Sequence, residues 1–406
     1  MKQYSIYSLL VILFFSALTL SACRDSADQP YTRAEEEILS QNLRLPLEPF
    51  VYPTSVQAMF FPEDGGSTGN LQQIALGRVL FYETSLSADG TISCASCHHQ
   101  ELAFSDNVAF SEGVHGNLTD RNSFPLGSFP TIMGVYNNNG EVGVPGDSLN
   151  PSARGVFWDE RAADLFEQMQ ETFENPKEMG IDVRTIPDRL EGLDYYPILF
   201  ERAYGDGNGK ITPVKTMEAL QAFMQTFVNI SSRYDHALGI AIREGQDLLG
   251  DFSGLSPEEN QGKRLFRANC ASCHMVTLNF LHHETLGSGK ATACNGLDQT
   301  YTDKGVGQHS GNPELDGVFK IPALRNIAVT APYMHDGRFG TLEEVIHHYN
   351  EGIQAHANLD PFLKDEQGEP KRLNLSQEEI DALLAFLNTL TNEDLLTHEK
   401  WADPFL

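Results

Sequence analysis

Apolar residues recur at helical spacing in well-separated stretches of the chain. After Thr212-Pro213, the residues Val214, Met217, Leu220, Phe223, Met224, Phe227 and Ile230 fall on one side of a helix, and a Pro at the first helical position suits that start. After Ser376, the residues Ile380, Leu383, Leu384, Leu387 and Leu390 repeat the pattern. Ser256-Pro257-Glu258-Glu259, Thr341-Leu342-Glu343-Glu344 and Ser376-Gln377-Glu378-Glu379 are capping boxes. In each, the Ser or Thr oxygen can take an N–H of the first turn while the second Glu reaches back to the cap. Strand-like alternation is scarce. The pattern predicts a mainly α fold with long loops and at most short β-ribbons, with the Met and Phe residues of 214–227 in the core.

One apolar run has another meaning. Lys2 precedes a stretch from Ile6 to Leu20 that ends Leu20-Ser21-Ala22-Cys23. A basic start, a short apolar core and small residues before a cut describe a secretory signal. The ending resembles a bacterial lipobox, in which the Cys carries the lipid; an ordinary signal peptide with an incidental Cys is the alternative. The run barely approaches the ~20 apolar residues of a transmembrane helix, and no later segment does. Residues 1–23 are thus expected to be a signal and 24–69 a polar tether and extension. The expected location is periplasmic or cell-envelope, with membrane contact through a lipid anchor alone.

Charge narrows the partners. The 28 Lys+Arg against 56 Asp+Glu give a net charge of −28, the opposite of what a phosphate-binding surface requires, so nucleic acid is excluded as a partner. At 406 residues the length suggests two domains.

Four of the six cysteines form two identical pentapeptides, Cys94-Ala95-Ser96-Cys97-His98 and Cys270-Ala271-Ser272-Cys273-His274. A bare Cys-x-x-Cys also suits a redox dithiol or half a zinc site. A His directly after the second Cys reads instead as covalent c-type haem attachment. On a helical turn both sulfurs reach one porphyrin, and the His is aimed at its iron. A zinc site would need two ligand pairs meeting at one metal, whereas here each pair has its own His. Two covalent haems c are expected, on Cys94, Cys97 and His98 and on Cys270, Cys273 and His274.

The two halves read as a diverged tandem repeat. Gly77-Arg78-Val79-Leu80-Phe81 leads to the first motif and Gly262-Lys263-Arg264-Leu265-Phe266 to the second. From Gly to Cys is 17 residues in the first half and 8 in the second. Each half resembles a cytochrome c unit, giving an N-terminal haem domain over 70–245 and a C-terminal one over 246–406.

Between and after these motifs lie Phe157-Trp158-Asp159-Glu160-Arg161 and Ala331-Pro332-Tyr333-Met334-His335-Asp336-Gly337-Arg338-Phe339. As a set, these segments resemble the bacterial di-haem cytochrome c peroxidases, whose superfamily includes the MauG-type enzymes. The resemblance implies that the N-terminal haem is the peroxide site, with His98 proximal and Gln168 and Glu178 distal. A positioned carboxylate can carry a proton from one peroxide oxygen to the other, and a neutral amide can orient the peroxide. The resemblance further implies that Trp158 lies between the porphyrins. It also implies that Asn122, Thr330 and Pro332 supply oxygens to an inter-haem Ca²⁺, a cation that accepts amide and carbonyl ligands. His115, in Gly113-Val114-His115-Gly116, matches a loop His that caps the resting N-terminal haem in many family peroxidases. MauG-type members lack that ligand, and a solvated loop His is the alternative.

The sixth ligand of the C-terminal haem departs from the peroxidase pattern. Where those enzymes place a Met, this chain has Tyr349, as MauG-type enzymes do. Together with His274, Tyr349 is the expected iron ligand, with His347, His348 or Met334 as alternatives. A phenolate stabilises oxidised iron, whereas a thioether stabilises reduced iron and raises the potential.

Three functions stay open. The first is a peroxidase reducing hydrogen peroxide with electrons from a small redox protein, a cytochrome c or cupredoxin. The second is a MauG-like enzyme oxidising a protein or organic substrate. The third is a non-enzymatic electron relay. Homodimer formation and a role for Cys294 are not fixed by the sequence.

Overall fold

The repeat is built around two crossed helix pairs. The computed structural model describes residues 31–46, 49–52, 70–126, 155–205, 207, 209–227, 231–274 and 292–406. The lipobox-like segment ending at Cys23, with the rest of the expected signal, lies outside the described residues. Among those described, no helix is long and apolar enough to cross a membrane.

The first part contains helices α1 (Arg33–Leu39), α2 (Leu71–Tyr82), α3 (Leu165–Glu174), α4 (Ile186–Leu190), α5 (Tyr195–Tyr204) and α6 (Pro213–Met224). The second contains α7 (Arg233–Arg243), α8 (Pro257–Asn269), α9 (Val306–Ser310), α10 (Leu342–His347), α11 (Gln377–Asn388) and α12 (Glu393–Thr397). The only sheet among the described residues is the antiparallel pair β1 (Thr292–Ala293) and β2 (Phe319–Lys320), in keeping with the scarcity of alternation. All three expected capping boxes form, at α8, α10 and α11. Thr212 caps α6 through Lys215 N at 3.2 Å.

The same close approach recurs in both halves. α2 crosses α6 where Gly77 faces Ala219 and Phe223, and α8 crosses α11 where Gly262 faces Ala382 and Phe386. A Cβ on either glycine would penetrate the carbonyl of the opposing alanine, so only glycine lets these backbones meet. Around the first crossing Phe81, Phe104, Phe223 and Phe227 are fully buried, with Phe104 stacked on Phe227 at 3.8 Å. Burying each such ring contributes roughly 1.5–3 kcal/mol. Met217 and Met224 are buried in the same cluster, as the periodicity requires.

Two expectations about organisation change. First, packing does not divide at 245/246. Tyr234, Ala237, Leu238 and Ala241 of α7 belong to the second apolar cluster. Asp235 of that helix takes Arg325 in a buried bidentate pair at 2.6 and 2.7 Å. Leu395 and Trp401, near the other end, belong to the first cluster. Second, residues 31–52 are not a free tether. Thr32 and Glu35 form a capping box on α1, and Tyr31, Leu39, Leu43 and Tyr52 are buried in the first cluster. Arg202 pairs with Glu35, Tyr52 donates to Lys400 O at 2.8 Å, and Leu43 bridges to Phe405.

Candidate functional site

The two haem motifs adopt matching backbone turns. His98 N donates to Cys94 O at 3.0 Å and His274 N to Cys270 O at 2.8 Å, while Cys97 N and Cys273 N reach the same two carbonyls at 3.3 and 3.1 Å. In the second half α8 runs directly into the turn, and Cys270 is its C-cap. In the first half the extra residues form a short 3₁₀ turn at Thr84–Leu86 and a loop before a second 3₁₀ turn at Cys94–Ser96.

Each motif His is oriented by a main-chain carbonyl. His98 Nδ1 lies 2.7 Å from Phe104 O, with Ser123 Oγ at 3.3 Å. His274 is held by the Pro322 carbonyl. Such a bond fixes the tautomer that leaves Nε2 free for iron. Burial lowers the pKa of both imidazoles, that of His274 to about 4, which favours the neutral ring a metal requires. Burial raises Cys94 and Cys270 to about 12 and Cys97 to about 11.

The expected amide lies on α3 and the expected carboxylate on the return after it. Asp164 caps α3, which carries Gln168 one turn in. The Gln168 Oε1 is buried without a hydrogen-bond partner among the described residues. Glu178 follows on the return from α3, where Asn175 Nδ2 donates to its Oε1 at 2.7 Å. Burial raises the Glu178 carboxyl above the usual range, opposed by Asn175, Thr172 and Arg161. Its charge is felt at Cys97, which places it on the first haem motif. His115 occupies the adjoining loop in a left-handed conformation at φ 60°. Its side chain is 64% exposed and lies 3.2 Å from Asp89, while Val114 N ties the loop to Glu178 O at 2.9 Å.

The second motif opens into a cavity lined mostly by apolar groups. Cys270, Cys273, His274 and Tyr349 all line this cavity, so a haem attached there would have His274 and Tyr349 within the same lining. Tyr349 projects from a π-helical turn, His348–Gly352, that continues α10. Such turns occur frequently at functional sites. Burial pushes the Tyr349 phenol up to about 12, and the Asn295 amide opposes that rise. His348 Nε2 is engaged by Asn295 O at 3.0 Å, and His347 is on the partly exposed side with Glu343 and Glu351.

Trp158 and Asn122 of the first half and Thr330 and Pro332 of the second line this cavity together. Trp158 Nε1 donates to Asn122 O at 2.9 Å. Asn122 Nδ2 donates to Val108 O at 3.0 Å, leaving its Oδ1 to accept. Among the described residues, the Thr330 and Pro332 carbonyls accept no main-chain hydrogen bond. A set of free neutral oxygens suits a hard cation. Sequence reasoning missed the ion network beside Trp158. Arg121 bridges Asp159 at 2.6 Å and Asp303 at 2.7 Å, joining the two halves. It missed Asn295 as well. Cys294, without an assigned role, is buried with Tyr301 OH at 3.8 Å and His356 Nδ1 at 3.6 Å.

Comparison with known proteins covers nearly all of this architecture. The family described as di-haem cytochrome c peroxidase matches residues 71–241, and the cytochrome c family matches residues 260–391. The methylamine utilization protein MauG of Paracoccus denitrificans is 32% identical, over 81% of this chain and 91% of that protein. The cytochrome c551 peroxidase of Nitrosomonas europaea is 29% identical, over 80% of this chain and 81% of that protein. The crystal structure of a MauG-like protein associated with microbial copper homeostasis superposes with a TM-score of 0.65. It is 28% identical, covering 89% of this chain and 98% of that one.

Proposed function

The chain belongs to the di-haem cytochrome c peroxidase family, and on that premise we propose that it reduces hydrogen peroxide to water at its N-terminal haem. Electrons enter through the C-terminal haem from a small redox protein. When bound, haem supplies an iron that can take up peroxide and store oxidising equivalents. The protein's own residues do the rest. His98 and His274 hold their irons from one side, each oriented by its carbonyl partner. Gln168 Oε1 accepts a hydrogen bond from the incoming peroxide and fixes its orientation. Glu178 Oε takes the proton from one peroxide oxygen and returns it to the other, which leaves as water. A raised carboxyl pKa brings this group closer to working pH, where both steps are accessible. Overall, one peroxide, two protons and two electrons give two waters.

The unpartnered Gln168 Oε1 on α3, with the raised Glu178 on the return that follows that helix, carries this reading. We assign the distal side to this pair and not to His115, because His115 is exposed and paired with Asp89. A bis-His spectrum for the resting N-terminal haem would contradict that assignment. Trp158 is assigned to electron passage between the haems, and Asn122, Thr330 and Pro332 to Ca²⁺ binding. The acidic surface, at a net charge of −28, favours a donor with a basic face. A periplasmic or cell-envelope location and a lipid anchor at Cys23 complete the reading.

Tyr349, in the cavity with His274, favours a second reading: MauG-like oxidation of a protein or organic substrate. A peroxide titration of the di-haem protein, followed by turnover with reduced cytochrome c, separates the functions. Peroxide reactivity with rapid turnover supports the peroxidase. Reactivity without turnover supports the MauG-like enzyme. No reaction with peroxide leaves only a relay.

A further inference from the structure

Asn295 meets the turn that carries Tyr349 at two points. Its place is fixed by main-chain bonds on either side: Ala293 pairs with Phe319 in the β-ribbon, and Gln354 N donates to Gly296 O at 2.8 Å. Consequently Cys294 faces away, toward Tyr301 and His356, while Asn295 lines the haem cavity. The Asn295 carbonyl accepts from His348 Nε2 at 3.0 Å, which anchors the π-helical turn at the residue before Tyr349. The side-chain amide lies against the Tyr349 hydroxyl. Asn295 Nδ2 also donates to Met334 Sδ at 3.5 Å. Met334 itself sits at φ 76°, a backbone conformation costly for a side chain of its size. The Oδ1 of Asn295 is buried without a partner among the described residues. The amide is therefore engaged through its donor end alone.

We propose that Asn295 is a positioning residue for Tyr349, donating an N–H to its oxygen and so limiting the charge that this oxygen gives to the C-terminal iron. The proposal rests on the reading of Tyr349 as the axial ligand. A hydrogen bond to a phenolate is charge-assisted and draws electron density from the oxygen. Partners of this kind, one step removed from the metal, are a principal means of tuning a haem potential. Met334 takes the second N–H and keeps the amide plane from turning its acceptor end toward the phenolate, where it would repel.

The test uses the purified di-haem protein and three variants. Asn295→Leu keeps the volume and removes the donor; Asn295→Asp keeps the shape and replaces the N–H with a negative oxygen. Both should lower the reduction potential of the C-terminal haem, Asp by more than Leu. Asn295→Leu should also move the phenolate-to-iron absorption to longer wavelength, because the donor orbital is no longer stabilised. The N-terminal potential and the mass of two covalent haems should not change. If Asn295→Leu fails to load haem, the isosteric Asp variant carries the measurement. Tyr349→Phe separates the two levels of argument. An unchanged ferric spectrum for that variant would overturn the ligand reading together with this proposal. A changed spectrum, with both Asn295 variants retaining the wild-type potential, would overturn the role of Asn295 alone.

Discussion

Both halves present the same haem pentapeptide, the same turn and the same kind of carbonyl behind the proximal His, yet they differ on the opposite side of the ring. The first half supplies an amide with an unused oxygen and, after the same helix, a carboxylate raised by burial. The second half supplies a tyrosine on a π-helical turn, within a largely apolar cavity. The attachment machinery is therefore duplicated, whereas the chemistry is set by segments outside the repeat. On the proposed reading, a proton carrier at the first haem would suit reaction with peroxide, and a tyrosine ligand at the second would suit holding an oxidised state.

The sharpest way to break this contrast is Glu178→Gln. It should leave both haems attached and lower peroxide turnover by ~10²–10⁴-fold, the usual contribution of a general acid–base group. Steady-state assays with reduced cytochrome c check this. The pH profile adds a sign. Glu178 must start as the base, so turnover should fall as pH drops through its raised pKa, above the ordinary carboxylate range. That acid limb should be absent from the Gln variant. Next in size is Tyr349→Met. It should convert the C-terminal haem to a His/Met spectrum and raise its potential, with the N-terminal haem unaffected; a redox titration reads both at once.

Smaller effects test what the halves share. Gly77→Ala and Gly262→Ala each place a methyl group against an alanine carbonyl at the helix crossing. Each should cost about 1–3 kcal/mol of stability, as overpacking does, measurable by denaturant unfolding of the haem-loaded protein. A loss in one half but not the other would show that the crossings are not equivalent. Least in effect is removal of Ca²⁺ by chelator, which should slow electron passage between the haems while leaving both spectra in place. Metal analysis that finds no calcium, with unchanged transfer rates, would remove Asn122, Thr330 and Pro332 from that role.

What was legible in the sequence was local. The capping boxes, the haem turns and the glycine before each motif are short-range signals, and each forms as read; the helix after Pro213 forms too, but it ends at Met224, Val214 on it is exposed, and Ile230 lies outside the described residues. The resemblance supplied Gln168, Glu178 and Tyr349; in the fold Glu178 acts on Cys97 and Tyr349 shares a cavity with His274, while Gln168 is buried on α3. Less visible were features created by pairing distant segments. Nothing near Asn295 marks it, because its neighbours Met334 and His348 come from 39 and 53 residues away. Arg121 likewise meets Asp303 across 182 residues. The packing of the extension was not visible either, because its partners Arg202, Lys400 and Phe405 come from far along the chain.

The exchange of segments between the two apolar clusters bears on the order of assembly. Arg78, one residue beyond the helix-crossing glycine, donates to Ala402 O at 2.7 Å, and Trp401 Nε1 reaches Thr226 Oγ1 at 3.0 Å. The core that shelters the first haem thus takes its final pieces from residues made after the whole second unit. Topologically, the second haem unit is an insertion within the first. As the chain emerges from its N-terminal end, the first Cys-x-x-Cys-His appears early, but the packing behind it cannot close until residues 395–405 arrive. Haem attachment at Cys94 and Cys97 therefore has an interval in which the motif is available on a chain still open, whereas α8, α11 and α7 around the second motif can pack as soon as they are complete.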